Sequence, residues 1–303
     1  MNILLYLTTV LIWGTTWLAI YFQLGDVPVN VSIFYRFALA ALILLPSLWL
    51  TGKLQVTDRS DHLFMVLQGA CLFSFNFICF YTAIQYISSG LAAVVFSLST
   101  LFNAINNRFF WKERIPKAVL IAGVAGTSGL VLLFLPELSA SNSEGAVSNS
   151  VLKGFAFACI GTYLFSLGNM ISKRHSLKGL KPITSNAYSI CYGTAISVGV
   201  LFVTAEPLVV DLRPQYLGAL FYLSIFGTII GFTTYLTLVA RLGANKAAYA
   251  TVMFPVVALM LSSWFEGYHW QISSTIGLGL TILGNLIINF GALKGLTFMK
   301  LKS

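Results

Sequence analysis

Charge is what this sequence has least of. Only 9% of its 303 residues are Asp, Glu, Lys or Arg, against 57% apolar, and its mean hydropathy is +0.85. So little polar surface cannot cover a water-soluble globule of this length, which excludes a soluble enzyme or binding module. The net charge of +9 does not point to nucleic acid, because the basic residues lie between long apolar runs and not on one face of a soluble domain. Cysteine is scarce too. Cys71, Cys79, Cys159 and Cys191 all sit inside apolar runs without a Cys-x-x-Cys pair or clustered His, so they read as small buried apolar residues, with no zinc site and no disulfide framework. There is no His-Glu-x-x-His, no phosphate-binding loop and no pair of acids within an apolar run, which argues against an intramembrane enzyme or ATP use and calls for no cofactor or metal.

What the chain has in quantity is long apolar runs. A helix rises 1.5 Å per residue, so about 20 apolar residues cross a bilayer core of about 30 Å. Ten runs qualify, near residues 3–22, 30–50, 63–86, 90–110, 117–135, 152–172, 183–204, 216–240, 243–265 and 272–291. The first lacks a basic leader and a small-residue cleavage site, so it reads as a retained span and not a signal peptide. With the N-terminus placed in the cytoplasm, 15 of the 18 Lys and Arg fall in inner connections and only Lys153 and Arg213 in outer ones. That asymmetry sets a multi-pass orientation in a cytoplasmic (inner) membrane with both termini cytoplasmic.

The stretch Phe109-Phe-Trp-Lys-Glu-Arg-Ile115 shares a Trp-x-Glu kernel with Ser262-Ser-Trp-Phe-Glu-Gly-Tyr268. Five spans separate the copies, and five is odd, so Glu113 ends its span on the inner side and Glu266 on the outer. The Gly-dotted segments 121–133 and 275–288 correspond in the same way, small residues there allowing close helix approach. The expected fold is therefore an all-α polytopic membrane protein, its ten transmembrane helices forming two inverted five-helix repeats. Residues 1–138 form the first repeat, 139–150 a polar Ser-rich linker on the outer side, and 151–303 the second repeat.

Together with Trp13-Gly-Thr-Thr-Trp17 and Tyr35-Arg-Phe-Ala-Leu-Ala-Ala-Leu-Ile-Leu-Leu45, this order of elements resembles the EamA-type branch of the drug/metabolite transporter superfamily. One departure is that Pro255 has no counterpart in the first half, where Leu101 or Phe102 stands. The resemblance implies a monomeric alternating-access carrier that moves small solutes without ATP. Amino acids or related compounds are the expected cargo and export the expected direction. A flippase for a lipid-linked precursor is the alternative.

Polar groups inside spans either pack helices or line a water-filled path. Candidate substrate contacts are Trp13, Thr16 and Trp17 in the first span, Asn76 and Tyr81 in the third, and Ser97 and Thr100 in the fourth. Tyr163 and Ser166 in the sixth, Tyr235 in the eighth and Tyr249 in the ninth complete the set. Ser99, Asn103 and Asn106 share one helix face, expected to turn inward. Arg36, the one cation inside a span, is expected to pair with an outer carboxylate such as Glu266 or Glu206; direct capture of a substrate carboxylate is the other reading. Glu113 is expected to pair locally with Arg108, Lys112, Arg114 or Lys117, a gating role being the other reading. No acid is expected near mid-membrane, so proton coupling through one has no support, and facilitated diffusion, exchange or coupling through the substrate stay open.

Overall fold

The computed structural model describes residues 2–115, 117–140, 146–243, 247, 250–268 and 270–300, and every regular element among them is helical. In chain order these are α1 (Asn2–Tyr21), α2 (Val29–Leu50), α3 (Arg59–Phe73), α4 (Phe75–Ile84), α5 (Ser89–Phe96), α6 (Ser99–Trp111) and α7 (Lys117–Ala140). There follow α8 (Ala146–Leu177), α9 (Pro182–Thr204), α10 (Pro214–Tyr222), a π-helical segment (Leu223–Ile230), α11 (Gly231–Leu242), α12 (Ala250–Phe265) and α13 (Ile272–Lys300). Pro182 and Pro214 begin their helices, where a missing N–H costs nothing.

Among the described residues, seven helical stretches are long and apolar enough to cross a membrane, and three shorter apolar helices accompany them. Three of the runs expected to be single helices are interrupted. The third breaks at Ser74, whose φ of −137° and ψ of −87° leave the helical region. The fourth tightens at Ser97 and Leu98, whose N–H groups bond three residues back to Val94 and Val95. The eighth widens into the π segment, where the Thr228 hydroxyl donates to the Leu223 carbonyl five residues back, at 2.8 Å. Hydropathy is blind to all three because the residues on both sides of each break remain apolar.

Side chains sort as lipid demands. Leu4, Leu11, Leu42, Trp49, Phe202 and Trp264 face outward, while Arg36, Gln68, Asn76, Asn103, Ser166 and Asn169 are buried. The four cysteines are free, and only half-buried rather than fully buried as expected.

The central contacts join early chain to late chain: α1 packs on α12, α3 and α2 on α9, α4 and α6 on α8, and α5 on α12. The most extensive pairing, α7 with α13, depends on glycine. A Cβ on Gly129 would come within 2.5 Å of the Gly277 carbonyl oxygen, and the reverse holds for Gly277 against Gly129, so the backbones meet directly.

Polar ties mark the two ends of the bundle. At one end Asp61 takes Arg174 at 3.0 Å and Lys178 at 2.9 Å, and Glu113 takes Lys173 at 2.6 Å. At the other, Glu206 accepts from Asn30 at 2.8 Å, and Glu266 accepts the Ser89 N–H at 2.8 Å together with its hydroxyl.

Candidate functional site

At the centre of the bundle, beside the interruptions in the helices, aromatic side chains from six elements converge. The α1 residues Trp13 and Trp17 stand one helical turn apart on one face. Trp17 stacks on Phe254 of α12 at 6.2 Å and 25°, and meets Phe80 of α4 edge-on at 5.1 Å. Trp13 lies 4.7 Å from Tyr235 and 5.0 Å from Phe232, both of α11, and donates its indole N–H to the Gly227 carbonyl at 3.3 Å. Phe96, the last residue of α5, packs on Phe165 of α8 at 4.5 Å. All of these rings except Tyr235 line a cavity of about 40 Å³, completed by Thr16, Ile20, Arg36, Asn76 and Phe77. A cavity that small holds a few waters at most, so a solute enters only when rings part.

Glycine sets how close the walls come. A Cβ on Gly231 would lie 2.6 Å from the Trp13 indole nitrogen, and one on Gly227 would lie 2.9 Å from Thr16 and 3.3 Å from an Arg36 nitrogen. Any larger residue at either position would push the α1 wall out of place.

Two polar groupings flank the rings. On one side Arg36, 1% exposed, donates from Nε to the Thr228 hydroxyl at 3.1 Å, with its guanidinium carbon 4.3 Å from the Phe77 ring centroid. Tyr81, its polar neighbour, donates to Gln23 at 2.6 Å. On the other side Asn103 Oδ1 accepts from Ser166 at 2.8 Å and from Asn169 at 3.3 Å, Asn106 donates to Ser166 at 2.9 Å, and Asn169 donates to the Tyr235 hydroxyl at 3.0 Å. This cluster turns the polar face of α6 inward against α8, and Lys173 extends it by donating to Asn107 at 2.8 Å.

Of the sequence candidates, Trp13, Thr16, Trp17 and Asn76 line the cavity. Tyr81 and Tyr235 stand behind it, fully buried, one in each polar grouping, and Ser166 belongs to the asparagine cluster. Ser97 and Thr100 border a separate small cavity against Gly123 and Gly126 of α7. Tyr163 departs from the expectation of an inward position: it is 42% exposed on the outer face of α8, its ring against Phe102. The turn of α8 that sends Ser166 and Phe165 inward carries Tyr163 outward. Tyr249 lies outside the described residues.

The expected ion pairs need correction as well. Arg36 pairs with neither Glu266, held by Ser89, nor Glu206, held by Asn30, because it points to the bundle centre. Glu113 bonds Lys173 of α8 and not its sequence neighbours, since the chain turns across at Lys112, whose φ is +55°. Sequence reasoning missed the phenylalanine walls, Phe77, Phe80, Phe96, Phe165, Phe232 and Phe254. Phenylalanine is equally at home against lipid, so only adjacency to the polar candidates, as in Asn76-Phe77 and Phe165-Ser166, could have marked them.

The family model of the EamA-like transporter family matches residues 1–135 and 152–290. A protein named PagO from Salmonella typhimurium is 25% identical over 88% of this chain and 85% of its own length. An uncharacterized inner membrane transporter of Escherichia coli K12, YedA, is 26% identical over 93% and 88%, and an uncharacterized transporter of Bacillus subtilis, YoaV, 23% over 91% and 92%. One solved crystal structure of a protein shares the fold with a TM-score of 0.69 at 19% identity, covering 95% of this chain and 97% of its own.

Proposed function

The chain belongs to the EamA-like transporter family, and on that footing we propose that it is an alternating-access carrier for small metabolites, amino acids or related compounds first among them, exported across the cytoplasmic membrane without ATP. In this reading ten transmembrane helices form two inverted repeats, residues 1–138 and 151–303, joined by the outer linker 139–150, and the monomer has both termini in the cytoplasm.

The observation that carries the reading is the central cavity. Its walls come from both halves of the chain and gather at helix interruptions, where carriers built from inverted repeats hold their cargo. Further support is that the helix contacts come in exchanged pairs. If α1 corresponds to α8 and the α5–α6 stretch to α12, then α1 on α12 is matched by α6 on α8. Likewise, if α2 corresponds to α9 and the α3–α4 stretch to the α10–α11 stretch, α3 on α9 is matched by the π segment on α2.

The amino-acid reading draws on aromatic rings set beside hydroxyl and amide groups, which suits a partly apolar solute held by a few hydrogen bonds. The test is counterflow in proteoliposomes loaded with amino acids, sugars, nucleosides or polyamines. Uptake of one labelled class, driven by its own gradient, establishes the carrier and its cargo. No counterflow with any class rejects it.

The flippase reading rests on a different feature, an apolar fissure of about 230 Å³ between α7 and α8, lined by Leu98, Leu130, Val131, Phe134, Leu152 and Phe155. It predicts stabilisation by lipids and none by soluble solutes.

A further inference from the structure

We propose that the central cavity is an anion site, in which Arg36 takes the carboxylate of a small organic acid and the surrounding rings take its apolar body. The transport meaning of this site rests on the carrier reading above; its chemistry does not.

Arg36 is 1% exposed, yet none of the ion pairs among the described residues includes it. A guanidinium withdrawn from water is costly unless its charge is met. The acids that could have met it are engaged: Glu266 with Ser89, Glu206 with Asn30, and Asp211 with Arg213. Its neighbours are neutral. Nε is taken by the Thr228 hydroxyl, the face of the fork lies on the Phe77 ring, and Tyr81, which gives its proton to Gln23, offers the guanidinium its neutral hydroxyl oxygen.

Nη1, in contrast, is buried with no hydrogen-bond acceptor among the described residues, and Arg36 is part of the cavity wall. Asn76 Oδ1 on the same wall also lacks a partner. Arginine presents its donors as a planar fork that fits a carboxylate. Thr228 fixes the plane of that fork, and Gly227 leaves the room beside it.

The rest of the lining selects by exclusion. Among the described residues no acid lines the cavity, so an organic cation meets no counter-charge there and a like charge in Arg36. A neutral solute leaves the guanidinium unmet. The flat faces of Trp17 and Phe254 accept an apolar body, preferably a planar one. An amino acid would present the required carboxylate, while a sugar or polyamine would not.

The test compares three probes of one shape and three charges, benzoate, benzamide and benzylammonium, with purified full-length protein in detergent at pH 7.5. Benzoate should raise the unfolding midpoint, and the other two should leave it unchanged at equal concentration. Arg36→Gln should abolish the benzoate response, and Arg36→Lys should retain it with affinity about tenfold weaker. Equal stabilisation by benzamide or benzylammonium, a benzoate response that survives Arg36→Gln, or no response to any probe overturns the proposal. Should Arg36→Gln fail to fold, the wild-type comparison still decides, together with Thr228→Val, which frees the fork and should weaken benzoate alone.

Counterflow of radiolabelled benzoate separates this proposal from the carrier reading. Arg36-dependent binding without flux of any solute keeps the site and rejects the carrier. Flux of a neutral solute unaffected by Arg36→Gln keeps the carrier and rejects the anion site.

Discussion

Two glycines in the eighth apolar run, Gly218 and Gly231, show how much a single position depends on its surroundings. A Cβ on Gly218 meets nothing within 4 Å, whereas one on Gly231 collides with the Trp13 indole. Gly231→Ala should therefore cost roughly 1–3 kcal/mol through overpacking and depress solute binding, while Gly218→Ala should do neither; paired thermal unfolding and binding assays read both. A second residue-level prediction concerns pH. Arg213 and its own N–H hold the Asp211 carboxyl below the usual carboxylate range, and Asp211 in turn raises Arg213. A depressed folded-state value means the contribution is complete above the unfolded value of about 3.9 and is lost as pH falls through the lower folded one. Unfolding midpoints should thus be insensitive to this loop from pH 7 to pH 5, and the difference between wild type and Asp211→Asn should vanish only in strong acid. The polar part of the site was legible in the sequence because a buried hydroxyl, amide or indole needs a partner: Trp13, Thr16, Trp17 and Asn76 were found that way. The direction of Arg36 was not, since nothing in its neighbours in sequence reveals that Thr228, 192 residues on, would orient it.

Individual helices carry a different kind of information. α5 and α6 would be one rod if apolar length were decisive, but the tightened turn at Ser97 and Leu98 divides them. α5 then packs on α12 and, through Phe96, on α8, while α6 packs on α8 and not on α12 to any comparable extent. One polar join between α5 and the end of α12 is Glu266, half-buried against Ser89 at the first turn of α5, where free N–H groups favour an anion. Glu266→Ala leaves those donors without their acceptor, so the variant should unfold at lower temperature. A cysteine placed at Ser89, in a background lacking Cys71, Cys79, Cys159 and Cys191, should also react faster with a membrane-impermeant maleimide. Unchanged labelling would mean that the carboxylate does not hold these helix ends together. The Trp-x-Glu kernel was readable as a repeat, yet its two glutamates end up doing different things, because Glu113 is turned across to Lys173 by the left-handed residue Lys112.

At the scale of the whole molecule, lipid acts as the solvent that decides which side chains face where. Helix content followed from composition alone, and the glycines of the fifth and tenth runs marked helices that approach a neighbour closely, though not that α7 and α13 would be each other's neighbour. The interruptions did not, because hydropathy reports what a residue dissolves in and not the angle of its backbone. The charge asymmetry across the connections gives a topological prediction. Single cysteines at Lys178 and Leu212, one in the Lys178–Lys181 connection and the other in the Ala205–Arg213 connection, should be labelled from opposite faces of the membrane, the first from the cytoplasm. Labelling of both from one face would reject the proposed orientation. The central cavity has a final consequence, which is electrical. Rings that leave about 40 Å³ between them provide no continuous column of water, so no thread of ions can pass. Reconstituted in a planar bilayer, the protein should behave as an insulator, adding no unitary currents at any voltage the membrane withstands, even where isotope counterflow is measurable.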